Sequence, residues 1–352
     1  MNRLKLAVVG VGALGRHHAR ILSGFEDVEL TAVVDAHAEQ GQRIAEQFAT
    51  RWFPQVSMLP HDLDGVIVAV PTVLHSQIAI PLLQNGTAVL IEKPLAATLE
   101  DSRRLQAAAD ESGAILQVGH VERFNPAFEQ LAGQVKRPLY IRCQRVSPYT
   151  FRSTDIGVVH DLMIHDIDLV LSLLQDDVTS VDAFGAVTIG PHEDLAVARL
   201  KTASGAVVDL TAGRMSPAAE RSIQVWTPDG WFAADLTSRQ VQSWQAAAPF
   251  NIHPALVHSI IGSNANPQGL KDEVFTRWLT HSEQHAGTAD ALTSELRDFI
   301  DSVRNESQPR VDGMAGVRAM EVADRILKQM NLWSYQSDSD RHDTAAASRN
   351  AA

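Results

Sequence analysis

The chain has 352 residues, of which 45% are hydrophobic, and this is enough apolar material for two packed domains. Its net charge of −12 disfavours nucleic acid as a partner, because phosphate binding requires clustered Lys and Arg. The single cysteine, Cys143, excludes an internal disulfide framework, and without a signal peptide or an apolar stretch of about 20 residues we expect a cytoplasmic protein bound to no membrane.

The first motif is a glycine-rich loop between a predicted strand, residues 4–9, and a predicted helix, residues 16–25. In the pattern Gly-x-Gly-x-x-Gly, the first glycine permits a tight turn and the second lets the backbone approach a pyrophosphate. The third lets the helix pack closely on the strand. We therefore predict that the loop and the helix N-terminus bind a dinucleotide. The residues concerned are Gly10, Gly12, Ala13, Leu14 and Gly15.

An acidic residue ends the next predicted strand. Asp35 closes the sequence VELTAVVD and follows Gly15 in the order typical of dinucleotide-binding domains. A carboxylate there accepts hydrogen bonds from the adenosine ribose and repels a 2′-phosphate, so the sequence favours NAD over NADP. The alternative is that Asp35 only caps the following helix.

Three further strand-like segments alternate with helical ones, at residues 63–70, 87–94 and 114–120. This alternation predicts a Rossmann domain with a doubly wound parallel sheet, which binds its ligand at the carboxyl ends of the strands. The residues at those ends that we assign to the cofactor or the substrate are Pro71, Thr72, His75, Glu92, Lys93 and Gly119.

In the second half of the chain, strand-like segments are joined by short turns, and this pattern predicts an open, mainly antiparallel sheet. Helices at residues 157–174 and 289–305 are expected to cover one face of it, and a second copy of the chain the other, in a homodimer or homotetramer. The strand-like segments are residues 138–146, 179–187, 194–202, 206–213, 222–229, 230–236 and 239–245.

These patterns divide the chain into an α/β domain and an α+β domain. We predict a cofactor-binding Rossmann domain at residues 1–121 and a substrate-binding and oligomerisation domain at residues 122–334. Residues 246–288 lack clear periodicity and are predicted as loops. The polar, low-complexity residues 335–352 are predicted to be a disordered tail.

Two segments carry candidate catalytic groups. Asp161, His165 and Asp168 are spaced i, i+4 and i+7, which places them on one face of a helix. The alternative for His165 is a core histidine bonded to a carbonyl, and His160 is a competing candidate that we assign to the pocket wall. Lys93 precedes a proline, which restricts it to extended geometry and so fixes the direction of its amine.

With Glu-Lys-Pro at residues 92–94 and DLMIHDID at residues 161–168, the chain resembles the Gfo/Idh/MocA oxidoreductases up to about residue 331. The resemblance implies that Lys93 and His165 lie beside the nicotinamide, with Asp161 near them. It implies that His165 takes the proton of a sugar hydroxyl while Lys93 stabilises the oxygen. It also implies a cis peptide bond between Lys93 and Pro94.

The segment VGHVERFNPAF, residues 118–128, resembles that of family members acting on nucleotide sugars, which implies oxidation of the C3 hydroxyl of a substrate such as UDP-N-acetylglucosamine. Arg123 is suited to a phosphate or carboxylate, and Asn125 either binds substrate or caps the helix begun by Pro126. The predicted substrate-binding residues are Lys93, Gly119, Arg123, Asn125, Asp161 and His165. The chain departs from the family at positions where glycines are frequent, since it has Val158, Val159 and Met163 in that stretch. The identity of the sugar therefore does not follow from the resemblance.

Other classes of function remain as alternatives. The chain can be a dehydrogenase of a free sugar or cyclitol, or a regulatory protein that binds NAD and a sugar without catalysis. No metal site is predicted. His281 and His285 have the spacing of a zinc-protease motif, but no glutamate occupies the position of its general base, and one cysteine supplies no metal-binding cluster.

Overall fold

A six-stranded parallel sheet, in the order β3-β2-β1-β4-β5-β6, forms the centre of the first half of the chain. The computed structural model describes residues 3–151, 156–247 and 266–334. The strands are β1 (Leu4–Val9), β2 (Val28–Val34), β3 (Arg51–Phe53), β4 (Gly65–Val68), β5 (Ala88–Glu92) and β6 (Leu116–Gly119). This order is that of a Rossmann domain and confirms the predicted fold.

Helices connect these strands, which are apolar nearly throughout because both faces of the sheet are buried. Thr98 caps α4 by accepting a hydrogen bond from the Asp101 N–H (3.1 Å), and the helix ends at Gly113 in the left-handed region. The helices are α1 (Gly15–Ser23), α2 (Ala38–Gln47), α3 (His75–Gln84) and α4 (Leu99–Ser112), with 3₁₀ turns at Val56–Met58, Thr72–Leu74 and Val121–Phe124.

Two C-terminal helices belong to this first unit, which comprises Met1–Phe124 and Ala289–Lys328. Our prediction that the helix at residues 289–305 covers the second sheet is wrong. Leu296, Phe299 and Ile300 of that helix instead join the core around β1 and β2. Its apolar spacing showed that one face is buried, but did not show against which sheet. The C-terminal α-helices are Ala291–Asn305 and Gly313–Gln329, numbered α8 and α9 below.

The second unit, Asn125–Thr288 with Gln329–Ala352, contains a nine-stranded mixed sheet in the order β14-β13-β12-β11-β7-β10-β9-β8-β15. The seven predicted strands are confirmed as β7 to β13. Most neighbours are antiparallel, but β7 pairs with β10 and β8 with β15 in parallel. In chain order, strands β7 to β15 are Tyr140–Val146, Val178–Val187, Leu195–Thr202, Val207–Gly213, Glu220–Thr227, Gly230–Asp235, Gln240–Ala246, Leu279–His285 and Met330–Ser334.

The prediction of loops at residues 246–288 is wrong for β14, which pairs with β13 along its whole length. Residues 248–265 and the predicted tail at 335–352 lie outside the described residues. Helices of this unit are α5 (Pro126–Gln134), α6 (Ile164–Leu174) and α7 (Pro267–Glu273), and π-helical segments occur at Val159–Met163 and Val274–Trp278. In the described parts of the chain, every helix is too short or too polar to cross a membrane.

One buried carboxyl in the first unit makes stability depend on pH. Glu295 of α8 is completely buried, and no described group donates a hydrogen bond to its carboxyl oxygens. Burial raises the pKa of Glu295 well above its ordinary value of 4.5, and the nearby Glu92 and Asp298 carboxylates raise it further. In the unfolded chain the carboxyl ionises near that ordinary value, so the free energy of unfolding falls as pH rises from that value towards the raised pKa of the folded state, by at most about 1.4 kcal/mol per pH unit.

We therefore expect Glu295→Gln to be more stable than the wild type at pH 8 and to lose this advantage towards pH 4.5, as measured by urea unfolding. Glu321→Gln on α9 is the control, because Glu321 is a surface residue paired with Arg103. A constant difference between Glu295→Gln and wild type across this pH range would contradict the raised pKa.

Candidate functional site

The glycine-rich loop packs tightly against the turn after β4. Gly10 has a φ of +82°, and a Cβ there would lie 2.7 Å from the Ala69 carbonyl oxygen. A Cβ on Gly15 would lie 1.8 Å from the Gly10 carbonyl oxygen, so both positions require glycine. Gly12 differs, since a Cβ there has no atom within 4 Å. The fold therefore gives no reason for glycine at Gly12, whereas a ligand pressed against the backbone does.

This difference gives a matched pair of variants. Gly12→Ala is expected to leave the free energy of unfolding unchanged and to weaken NAD binding about tenfold, because the methyl group would keep a pyrophosphate from approaching the backbone closely. Gly15→Ala is expected to destabilise the fold by about 1–3 kcal/mol, because the backbone itself must move. Calorimetric titration with NAD and urea unfolding measure the two effects. Unchanged affinity in Gly12→Ala would remove the ligand explanation.

The N-terminus of α1 suits an anion. No described side chain caps it, and its first turn contains no acidic residue. Gly12, Ala13 and Leu14 are exposed there. An uncapped helix N-terminus offers N–H groups and the positive end of the helix dipole to a phosphate. Around the same carboxyl edge of the sheet, Leu14, Val73 and Leu74 are 41%, 67% and 38% exposed, which is suited to covering flat rings. The residues present thus fit a dinucleotide.

Asp35 is attached to the glycine-rich loop. One oxygen of its carboxylate accepts a hydrogen bond from the Val11 N–H (3.0 Å), and the other accepts one from the His37 N–H (2.9 Å). Helix α2 begins after His37 and has no side-chain cap, so the alternative of a simple helix cap is not what the structure shows. The carboxylate lies beside the loop, and its recognition of the ribose stays a prediction.

The turn after β5 carries Lys93. The Lys93–Pro94 bond is cis, which confirms the prediction. Glu92, which we predicted to bind the cofactor, is buried. Its carboxylate lies 2.6 Å from His18 Nε2 of α1 and accepts a hydrogen bond from the Lys93 N–H (3.3 Å). A Cβ on Gly119 would lie 3.0 Å from this carboxylate, so Gly119 permits the close packing of Glu92. Glu92 therefore links α1 to the Lys93 turn.

His75 is also buried, although we predicted it to bind the cofactor. It begins α3 after the 3₁₀ turn formed by Thr72–Leu74. Its ring nitrogens lie within hydrogen-bond distance of main-chain carbonyls of Val70, Pro94 and Leu95. Pro71 and Thr72 remain at the carboxyl end of β4 as predicted, and Pro71 is exposed. His75 therefore joins two loops of the site from behind.

The second unit carries Asp161 and His165, both half-buried. We predicted one α-helix over residues 157–174, and this is wrong for its first turn. Val159–Met163, which contains Asp161, is π-helical, and the α-helix begins at Ile164. Asp168, predicted on the same face, is buried. Isolated π-turns are frequent at functional sites.

The sequence analysis missed the group that anchors this π-turn. Glu193, at the start of the segment leading into β9, accepts a hydrogen bond from the Val159 N–H through its side chain (3.1 Å) and from the Val158 N–H through its carbonyl (3.1 Å). A Cβ on Gly157 would lie 2.0 Å from the Glu193 carboxylate. Gly157, the first residue of the predicted helix, was the available signal.

The neighbouring Asp194 forms a second buried anchor in this unit. Burial opposes its ionisation, but hydrogen bonds from the Ile189 N–H (2.6 Å) and from Arg214 Nε (2.7 Å) outweigh that effect and lower the pKa of the carboxyl. Asp194 thus stays ionised and ties the end of β10 to the turn before β9.

Arg123 and Asn125 were predicted to bind substrate. Arg123 Nη2 donates to the Arg310 carbonyl oxygen (3.4 Å) in the first unit. Asn125 belongs to the second unit, where its side-chain oxygen accepts from the Ala127 N–H (3.0 Å) and its amide donates to the Leu236 carbonyl (2.9 Å). The structure therefore shows the alternative role of Asn125, the cap of α5.

Comparison with protein families gives two matches. Residues 4–120 match the family model described as "Oxidoreductase family, NAD-binding Rossmann fold", and residues 117–233 match that of the Gfo/Idh/MocA C-terminal domain. The first range contains the glycine-rich loop, Asp35 and Lys93, and the second contains Asp161 and His165.

Several characterised proteins are similar over nearly the whole chain. UDP-N-acetylglucosamine 3-dehydrogenase of Acidithiobacillus ferrooxidans is 30% identical over 325 residues, which cover 92% of this chain and 96% of the relative. A structure of that enzyme has a TM-score of 0.82 at 28% identity, covering 94% of this chain and 98% of the other. The scyllo-inositol 2-dehydrogenase (NAD(+)) of Bacillus subtilis is also 30% identical, with coverages of 91% and 92%.

Proposed function

Because the chain belongs to the Gfo/Idh/MocA oxidoreductase family, we propose that it is an NAD-dependent dehydrogenase of a secondary hydroxyl on a nucleotide sugar, with the C3 hydroxyl of UDP-N-acetylglucosamine as the first candidate. The observation that carries the proposal is the open glycine-rich loop with Asp35 attached to it. The loop leaves its backbone uncovered at Gly12 although the surrounding glycines are tightly packed.

The chain's own residues divide the chemistry among them. His165 is the base that accepts the hydroxyl proton, and Asp161 supports it. Lys93 hydrogen-bonds the same oxygen and stabilises its developing charge. NAD, when bound, supplies the carbon that accepts the hydride.

The choice of NAD over NADP rests on Asp35. Its two oxygens already hold the Val11 and His37 N–H groups, so the carboxylate is fixed and its charge cannot turn away from an incoming phosphate. Calorimetric titration of the protein with each dinucleotide tests this. NAD is expected to bind at least about tenfold more tightly, and equal affinities would contradict the assignment.

The nucleotide-sugar class is supported by the relative that acts on UDP-N-acetylglucosamine. A second candidate, oxidation of a free cyclitol, is favoured by the equally identical scyllo-inositol dehydrogenase. The test mixes the protein and NAD with a panel of UDP-sugars and inositols and measures NADH absorbance. A parallel series contains a 2-oxo acid as an external acceptor and measures the 2-hydroxy acid formed, because the acceptor reoxidises NADH to NAD. Turnover of UDP-sugars but not inositols is expected. NAD binding without turnover of any sugar would favour the non-catalytic alternative.

We also propose a homodimer or homotetramer. Phe184 and Val197 are paired across β8 and β9 and are 44% and 38% exposed, and Trp226 is 36% exposed beside Tyr140 and Trp231. These apolar side chains are suited to burial by a second copy of the sheet. The mass from light scattering at micromolar concentration tests the proposal, and a monomer mass would contradict it.

A further inference from the structure

His75 connects the two turns that follow β4 and β5. Its ring is only 1% exposed. Nδ1 lies 3.1 Å from the Pro94 carbonyl oxygen and 3.3 Å from that of Leu95, while Nε2 lies 3.0 Å from the Val70 carbonyl oxygen. A single buried side chain thus contacts the main chain immediately after Lys93 and immediately before the Pro71 turn.

The number of protons on the ring decides which contact is a hydrogen bond. Carbonyl oxygens only accept, and a neutral imidazole has one N–H. Burial lowers the pKa of His75 below its ordinary value of 6.5, although the backbone hydrogen bonds oppose this, so the ring is neutral at pH 7. A proton on Nδ1 points at the Pro94 and Leu95 carbonyl oxygens, and the lone pair on Nε2 then faces the Val70 carbonyl oxygen. A proton on Nε2 would leave a lone pair facing two oxygens, which is the less favourable arrangement.

We propose that His75 is a positioning residue for Lys93. The Nδ1–H of His75 donates to the Pro94 and Leu95 carbonyls and so fixes the turn that directs the Lys93 amine. This inference rests on the proposed function, in which the Lys93 amine bonds the reacting oxygen. It replaces the predicted contact between His75 and the coenzyme with an action through the protein backbone.

Three variants separate the possible roles. Asparagine places an amide N–H near the position of Nδ1, glutamine places one near Nε2, and leucine provides neither. We expect His75→Leu and His75→Gln to lower kcat about tenfold or more, because a displacement of about 1 Å at a reacting group can cost 10²-fold. His75→Asn is expected to keep kcat within about threefold of wild type, and NAD affinity should change little in all three.

Other outcomes would overturn the inference. Wild-type kcat in His75→Leu, or better rescue by glutamine than by asparagine, would show that the Nδ1 bond does not matter. A loss of NAD affinity that matches the loss of kcat in every variant would make His75 a coenzyme contact instead.

A second measurement uses the unmodified protein and no substrate. In protein labelled with ¹⁵N-histidine, NMR reports which ring nitrogen carries the proton, and the His75 signals are recognised by their contacts with Pro94 and Leu95. A neutral Nδ1–H form is expected, and an Nε2–H form would overturn the inference. If wild type oxidises none of the sugars, the proposed function fails, while this measurement still decides how His75 is bonded.

Discussion

Replacing His165 with asparagine is expected to lower kcat by about 10²-fold or more, with little change in the affinity for NAD. Asparagine keeps a polar side chain of similar reach but cannot take a proton from a hydroxyl. Lys93→Met is expected to have an effect of similar size, because it removes the charge that stabilises the substrate oxygen in the proposed mechanism. Lys93→Arg keeps the charge but moves it, and should recover only part of the lost rate. Initial rates of NADH formation and NAD titrations measure both quantities.

Two surface substitutions serve as matched controls. His285 is exposed at the end of β14, and Lys5 forms a surface ion pair with Asp62. His285→Asn and Lys5→Met are expected to leave kcat unchanged. If His165→Asn and Lys93→Met retain the turnover of these controls, the chemistry does not depend on the two groups and the proposed mechanism is wrong.

The cofactor loop was predictable from sequence because two of its glycines, Gly10 and Gly15, meet requirements of the local backbone. Gly10 needs a positive φ, and Gly15 must leave room for the Gly10 carbonyl, so their spacing follows from one turn of backbone. The cis bond before Pro94 was predicted from the family resemblance and is confirmed. Most strands of both sheets also followed from local apolar patterns, which do not depend on the partner of each strand, but β3, β14 and β15 were not predicted.

Features that depend on distant partners were not predictable in this way. The apolar face of α8 is visible in the sequence, but the burial of Phe299 beside β1 depends on tertiary packing. The π-turn at Val159–Met163 depends on Glu193, more than thirty residues away along the chain. Glu92 and His75 were predicted to bind the ligand because Glu92 lies at the carboxyl end of a strand and His75 follows one. Only the fold shows that both side chains face inward and hold the main chain of the site.

A buried ion pair in the second unit carries the largest expected effect on stability. Arg145 of β7 donates to one oxygen of Asp166 through Nε (3.1 Å) and Nη2 (2.8 Å), and the two side chains are 3% and 4% exposed. Asp166 follows His165 directly, so the pair fixes the start of α6 against the sheet. Asp166→Ala removes the carboxylate that Arg145 contacts in the interior, and we expect a loss of about 3–5 kcal/mol in the free energy of unfolding.

The double variant Arg145→Met/Asp166→Leu should recover much of this loss, because it removes both charges and fills the space with apolar atoms. The pair formed by Arg199 and Asp209 is the control. It has two bonds of 2.7 Å, but its arginine is 58% exposed, so Arg199→Ala, which leaves the Tyr140 hydrogen bond to Asp209 in place, should cost about 1 kcal/mol or less. Urea unfolding is measured for the wild type, for Asp166→Ala, for the double variant and for the control variant. NADH formation is measured for the double variant, to separate a role of the pair in stability from a role in orienting His165. A stable double variant with low kcat means that the charges orient His165, whereas recovery of both properties means that Asp166 only holds α6 in place.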